Sequence, residues 1–231
     1  MNRHFASIYI SCTIFLVFST IAIVSYQGSN AFISSIHSYQ FTQNFLSDLG
    51  ITHTYAHTVN PLIVRILFAA SLISAGCAGV LFFKQKSKEV SLQAKSKLTW
   101  YSYGFALCVT SIGLIPDDLY TWPHRIALLG SVFFLALSCG TLAFNLARPT
   151  IFGRIFRIFT LLILMYPFWL IFAPLPETGI AAHTAHVILQ KCIVYGFLLT
   201  VMLCTAPKLQ TPLSLHNLSS HKKNENPEIL S

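Results

Sequence analysis

The chain has 231 residues, of which 54% are hydrophobic and only 10% charged, and its mean hydropathy is +0.64. An average soluble domain is about a quarter charged, so the composition excludes an ordinary soluble enzyme and reads as an integral membrane protein. The formal net charge of +8 raises nucleic acid as a partner, but in such a chain the side on which Lys and Arg lie is settled first.

A helix needs about 20 apolar residues to cross the hydrocarbon core. Six stretches qualify, roughly 5–26, 62–83, 98–115, 124–146, 155–173 and 184–206. The expected fold class is therefore all-α: a polytopic protein with six transmembrane helices over 1–207 and a polar, disordered cytoplasmic tail over 208–231. The first run is too long for a signal-peptide core and is expected to stay as an anchor. Between Gln27 and Asn60, the residues Phe41, Phe45, Leu46 and Leu49 recur at helical spacing before Gly50, which predicts a short amphipathic helix at the outer interface. Asn60 before Pro61 reads as a helix cap. Pro116 stops the third run, Pro123 opens the fourth, Pro167 kinks the fifth and Pro174, Pro176 and Pro207 end segments. Gly76, Gly79, Ser131 and Gly140 read as close helix-packing points. All six cysteines (Cys12, Cys77, Cys108, Cys139, Cys192, Cys204) fall in apolar runs and read as small buried hydrophobes.

Twelve of the 15 basic residues lie on alternate connections: Arg3; Lys84, Lys86, Lys88, Lys95 and Lys97; Arg148, Arg154 and Arg157; Lys208, Lys222 and Lys223. The opposite connections, 27–60, 116–123 and 174–182, hold none. The positive-inside rule then places both termini in the cytoplasm of a plasma-membrane protein. Accordingly the basic excess reports topology and anionic lipid, membrane lipids are the expected partners, and neither nucleic acid nor a soluble partner has support. The sequon at Asn217 would be cytoplasmic and unused.

The costly residues gather on the other side. Asp48, Asp117, Asp118 and Glu177 are four of the seven acids, and His37, His53, His57, His124, His183 and His186 are six of the nine histidines. Arg65, Arg125 and Lys191 are the basic residues inside spans, each near the outer end. Charge at such depth faces a bundle interior or a water-filled cavity, so an outward-opening polar cavity is expected. His183, His186 and Gln190 share one helix face with Lys191 beside it; they read either as a metal pair or general acid/base, or as one solvated and one packed histidine. His53 and His57 have chelating spacing only if their segment is helical, and otherwise are solvated loop residues. Asp117 and Asp118 bind a cation, orient a histidine, or pair with Arg125 and Arg65; the alternative is a polar turn beside proline. Ser47 and Asp48 supply a hydroxyl and a carboxylate without a nucleophile-elbow motif, and are equally ordinary helix-end residues. Trp100, Trp122 and Trp169 fit interfacial belts.

NFLSDLG at 44–50, Asn60, GLIPDDLYTWPH at 113–124 and QKCIVYGF at 190–197 together resemble the prokaryotic membrane proteins grouped as domain of unknown function 998. The resemblance covers about residues 5–206, rests most on Ser47, Asp48, Gly50, Asn60, Gly113, Pro116, Asp117 and His124, and implies six helices without an established activity. A weaker similarity, to ceramidase-like membrane hydrolases, implies a zinc site from Ser47, Asp117, His124, His183 and His186, although the span number and the histidine spacing differ.

The sequence thus predicts an outward-facing site. Its candidate catalytic residues are Asp117, His124, His183, His186, Ser47 and Asp48; ligand would be held by Asn60, Arg65, Asp118, Arg125, Gln190 and Lys191, and a divalent metal such as zinc by His183, His186 and Asp117. It would bind or act on a lipid headgroup or small polar ligand, as a membrane-embedded hydrolase if an enzyme. The alternative is a non-catalytic structural partner or small permease whose polar residues are buried ion pairs.

Overall fold

The apolar runs fold into helices punctuated where proline and glycine predict. The computed structural model describes residues 3–30, 32, 33, 35, 37–145, 151–172 and 179–206. Among them are six α-helices: α1 (Arg3–Ser25), α2 (Leu62–Lys86), α3 (Leu92–Leu114), α4 (Thr121–Asn145), α5 (Ile151–Phe172) and α6 (Ile180–Thr205). Four stretches, His4–Ser25, Leu62–Glu89, Thr121–Asn145 and Ile180–Thr205, are long and apolar enough to cross a membrane. The helices α3 and α5 open on basic turns, with Lys95 and Lys97 in one and Arg154 and Arg157 in the other. Glu177, Arg148, Pro174, Pro176, the 208–231 tail and its sequon lie outside the described residues, as does the Trp169 side chain.

Helix boundaries have visible causes. Ser91 caps α3 by accepting the Ala94 amide. Ile115, which precedes Pro116, is extended rather than helical (φ −109°, ψ 102°), as the clash of a proline ring with the preceding residue requires. Thr121 then donates to the Asp117 carbonyl at 2.7 Å and opens α4, with Pro123 in its first turn.

Consecutive helices pack side by side from α1 to α5, and α6 completes the bundle against α1, α2 and α5. Small residues permit close approach: a Cβ built on Gly76 would stand 3.2 Å from the Ala106 backbone, and one on Gly113 3.0 Å from that of Ala69. Elsewhere aromatic rings fill the interior. Phe197 of α6 meets Phe83 of α2 (5.9 Å between centroids) and Phe105 of α3 (5.7 Å). Hydroxyls inside the helices return their hydrogens to carbonyls three or four residues back, as Ser71, Ser102, Ser131, Thr160 and Thr200 do, so they need no outside partner.

Two expectations are corrected here, and one open alternative, that for His53 and His57, falls to the loop reading. Residues 41–50 form no amphipathic surface helix. Only a single 3-10 turn, Leu46–Gly50, is present, and Leu46, Asp48, Leu49 and Gly50 are buried in it, because the apolar residues face the helix ends below rather than an interface. Cys77 and Cys192 are exposed on the bundle surface rather than buried; Cys12, Cys139 and Cys204 are buried as expected. His53 and His57 sit in a tight hairpin, not a helix: the Thr54 amide donates to the Thr58 carbonyl, His53 bridges to Val59 and His57 takes φ 58°. The helical spacing needed for chelation is therefore absent.

Candidate functional site

The loop of residues 26–60 folds over one end of the bundle, and its irregular backbone leaves amides and carbonyls that no secondary structure satisfies. At membrane depth each unsatisfied group is costly. Side chains of α6 supply the partners. Lys191, 3% exposed, donates to the carbonyls of Phe41 and Asn44, the latter at 2.5 Å, and its ammonium lies 4.5 Å from the Phe41 ring centroid. Gln190 accepts the Leu46 amide at 3.0 Å. Two turns back along α6, His183 Nε2 lies 2.8 Å from the Gln43 carbonyl, which accepts only, so that nitrogen carries the hydrogen. Thr184 accepts the Gln43 side-chain amide at 2.7 Å. His186 Nε2 is 3.2 Å from the Tyr166 hydroxyl of α5, and the Phe45 ring packs edgewise on both histidines.

Asn44, fully buried, joins this face to the acid. Its amide nitrogen donates to Asp48 at 3.0 Å and to the Ser29 carbonyl, its side-chain oxygen accepts the Gln40 amide, and its carbonyl takes both Lys191 and the Tyr39 hydroxyl. Asp48 also accepts the Phe45 amide at 3.0 Å, closing the 3-10 turn, and the Tyr55 hydroxyl at 3.4 Å. Burial raises the Asp48 carboxyl to about 7, against the lowering effect of those hydrogen bonds and of the Lys191 charge. Burial likewise drives the Tyr39 and Tyr55 hydroxyls upward.

On the opposite flank the α3–α4 hairpin holds the same loop. Asp118 accepts the Thr52 amide at 2.9 Å, the Thr52 hydroxyl and the His53 amide at 3.0 Å. Burial pushes this carboxyl up, but the three hydrogen bonds outweigh it, and its pKa lies below the ordinary value. His124 is buried, with Nδ1 2.6 Å from the Ile115 carbonyl. That bond ties the start of α4 to the end of α3. Asp117 Oδ1 is buried without a hydrogen-bond partner among the described residues, and its charge acts on Tyr55.

The sequence-predicted residues therefore fall into two groups joined by the loop. Asp48, His183, His186, Gln190 and Lys191 form one, and Asp117, Asp118 and His124 the other. Several expectations change. Asn60 is not a helix cap: fully buried, it donates to the Leu49 and Ile51 carbonyls at 3.0 and 2.9 Å, and α2 is preceded by Pro61 instead. Arg65 and Arg125 form no ion pair with Asp117 or Asp118; among the described residues the pairs of an acid with a basic or histidine side chain within 4.0 Å are His53–Asp118 and Lys86–Glu89. Arg125 is exposed, its long side chain being able to reach solvent from a helix end. The metal set of His183, His186 and Asp117, and the larger set implied by the hydrolase resemblance, is not assembled: no group of three His, Cys, Asp or Glu side chains that could hold a metal occurs among the described residues. Each histidine is instead turned to a backbone carbonyl or to Tyr166.

The pocket found beside these residues is apolar. A pocket of about 90 Å³ lies between α2, α3, α4, α5 and α6, walled by residues such as Phe68, Leu72, Val109, Val132 and Phe197. Leu46 and Ser47 of the 3-10 turn roof it, and Gln190 and Tyr166 reach its wall. Sequence reading missed this pocket because its lining is indistinguishable from core. It also missed Asn44, Thr52 and Tyr166; Asn44 opens the NFLSDLG stretch four residues before Asp48, the one signal that could have marked it.

No family model, curated protein or solved structure matches the chain.

Proposed function

We propose that the chain is a six-span plasma-membrane protein, with both termini cytoplasmic, that binds the apolar part of a membrane amphiphile beneath its first outer loop. The observation that carries this reading is the apolar pocket roofed by Leu46 and Ser47. Pockets walled by aliphatic and aromatic side chains stay dry and accept apolar groups. With 23 and 22 residues, α3 and α5 are about 33–35 Å long at 1.5 Å per residue, sufficient for the roughly 30 Å hydrocarbon core. The basic connections favour the cytoplasmic termini, and we include in this proposal membership of the domain of unknown function 998 family, supported by the resemblance of the 44–50 and 113–124 stretches.

Binding is favoured over catalysis because Lys191, Gln190, His183 and His124 already serve backbone groups. That observation also supports the non-catalytic structural reading, with hydrogen bonds to the loop in place of ion pairs. The experiment is lipid extraction and native mass spectrometry on purified protein. Val109→Trp, which fills the pocket, is expected to abolish a retained lipid, whereas Leu107→Trp on the exposed side of the same helix retains it. Equal retention by the two variants, or none in the wild type, refutes the amphiphile reading and leaves the structural one.

A further inference from the structure

The geometry points to an uncharged lipid, whose single polar group is a hydroxyl or an ester carbonyl, as the occupant of this pocket, with Ser47, Tyr166 and Gln190 as the groups that hold that oxygen. The inference rests on the amphiphile reading above and narrows it by the chemistry of the lining.

Among the residues that line this almost wholly apolar pocket, four carry polar side chains: Ser47, Ser131, Tyr166 and Gln190. Ser131 is spent within its own helix, donating to the Leu128 carbonyl at 2.7 Å. The other three keep hydrogen-bonding capacity. Gln190 uses its oxygen on the Leu46 amide, which leaves the two hydrogens of its NH₂. Tyr166 shares its hydroxyl with one nitrogen of His186; whichever of the two donates, the phenol retains either a hydrogen or a lone pair. The Ser47 hydroxyl has no partner among the described residues. Two of these three groups adjoin through the Leu46 amide, since Leu46 precedes Ser47 and is bonded to Gln190. Together they offer both donors and lone pairs, the complement of an alcohol or a carbonyl.

Charge is equally informative by its position. Asp48 and Lys191 lie within a residue of Ser47 and Gln190 in sequence, yet neither lines the pocket. Both are turned to the loop: Lys191 to the Phe41 and Asn44 carbonyls, Asp48 to Asn44, Phe45 and Tyr55. Arg65 and Arg125 are likewise absent from the wall. A phosphate or carboxylate drawn into this space would lose its hydration without gaining a counter-charge, which is strongly unfavourable. An uncharged oxygen loses far less, and three neutral groups replace its water.

The test uses full-length protein in nanodiscs and a set of photoactivatable long-chain probes that differ only in the head: alcohol, methyl ester, carboxylate, phosphate and plain hydrocarbon. Alcohol and ester are expected to label peptides of α2, α3 and α6 at the pocket about tenfold above plain hydrocarbon, the ratio that one well-placed hydrogen bond supplies, and to exceed carboxylate and phosphate, whose charge would be buried unpaired. The paired change Ser47→Ala and Tyr166→Phe, which removes two oxygens and little volume, should bring alcohol labelling down to the hydrocarbon level and leave hydrocarbon labelling unchanged. Labelling by phosphate or carboxylate as strong as by alcohol overturns the inference while sparing the amphiphile reading, as does an unchanged alcohol-to-hydrocarbon ratio in the paired variant. Failure of even the hydrocarbon to label the pocket overturns both.

Discussion

The two flanks of the loop are held by opposite chemistry. On the α6 side the loop shows mainly carbonyls, and donors meet them, Lys191 at Phe41 and Asn44 and His183 at Gln43, while the neutral Gln190 and Thr184 take the Leu46 amide and the Gln43 side-chain amide. On the hairpin side it shows amides, and an acceptor meets them, the Asp118 carboxylate at Thr52 and His53. The two acids differ in the same way. Asp48 is buried and its carboxyl is raised, whereas Asp118 is partly open to water and lowered. Charge at this end of the bundle is therefore distributed according to which backbone group needs a partner. Residues that look like an acid/base assembly when counted along the chain serve first as the fastening of an irregular segment.

The comparison is broken most sharply at Lys191. Lys191→Met keeps the stem and removes the donor, leaving the Phe41 carbonyl unserved and the Asn44 carbonyl with only the Tyr39 hydroxyl, and is expected to cost about 3 kcal/mol in unfolding measurements in mixed micelles. Asn60→Ala, which frees the Leu49 and Ile51 carbonyls, should cost about 2 kcal/mol by the same assay. Asp118→Asn retains shape but weakens charge-assisted bonds at a site open to solvent, and about 1 kcal/mol is expected. The smallest effect belongs to Arg125→Gln. With no acid beside it, the change should stay within about 0.5 kcal/mol.

A pH series sharpens the contrast between the acids. Because the folded Asp48 carboxyl is raised to about 7, its contribution to stability is complete below the unfolded value and is lost as pH rises from about 4 to about 7. Asp48→Asn should remove that decline. Asp118 has the reverse sign: its contribution is present above the ordinary carboxylate pKa and is lost as pH falls through its lowered folded value. A stability curve in which Asp48→Asn leaves the decline between pH 4 and 7 intact would falsify the assignment.

Most of the helical framework was legible because its causes are local. Apolar runs of membrane length and Pro116 act on adjacent residues, and most helix limits follow from them; the Ser91 cap went unread, so α3 begins at Leu92 and not near 98. The α6 face was legible too, since 183, 186 and 190 repeat at helical spacing. Its partners were not. The Gln43 carbonyl and the Leu46 amide lie about 140 residues away in sequence, and nothing in an aperiodic loop announces which backbone groups will go unpaired. Asn60 was misread for a related reason: Asn before proline is a cap by local rule, and only the folded loop brings the Leu49 and Ile51 carbonyls to its amide. The pairing of Arg65 and Arg125 with the hairpin acids failed because a flexible arginine at a helix end can be hydrated, an option that counting charges ignores.

Gly50 sits directly on Phe68, so closely that a methyl group there would come within 2.8 Å of the ring. Phe68 is also part of the pocket wall. Roof and wall are thus in direct contact with no side chain between them, and the roof is fastened on both flanks by the bonds described above. It is ill suited to swing as a hatch toward water. An occupant of the pocket would arrive sideways, from the lipid, between neighbouring helices, and its exchange rate should follow bilayer fluidity rather than the strength of the loop's hydrogen bonds, which lipid-exchange rates in Lys191→Met can decide.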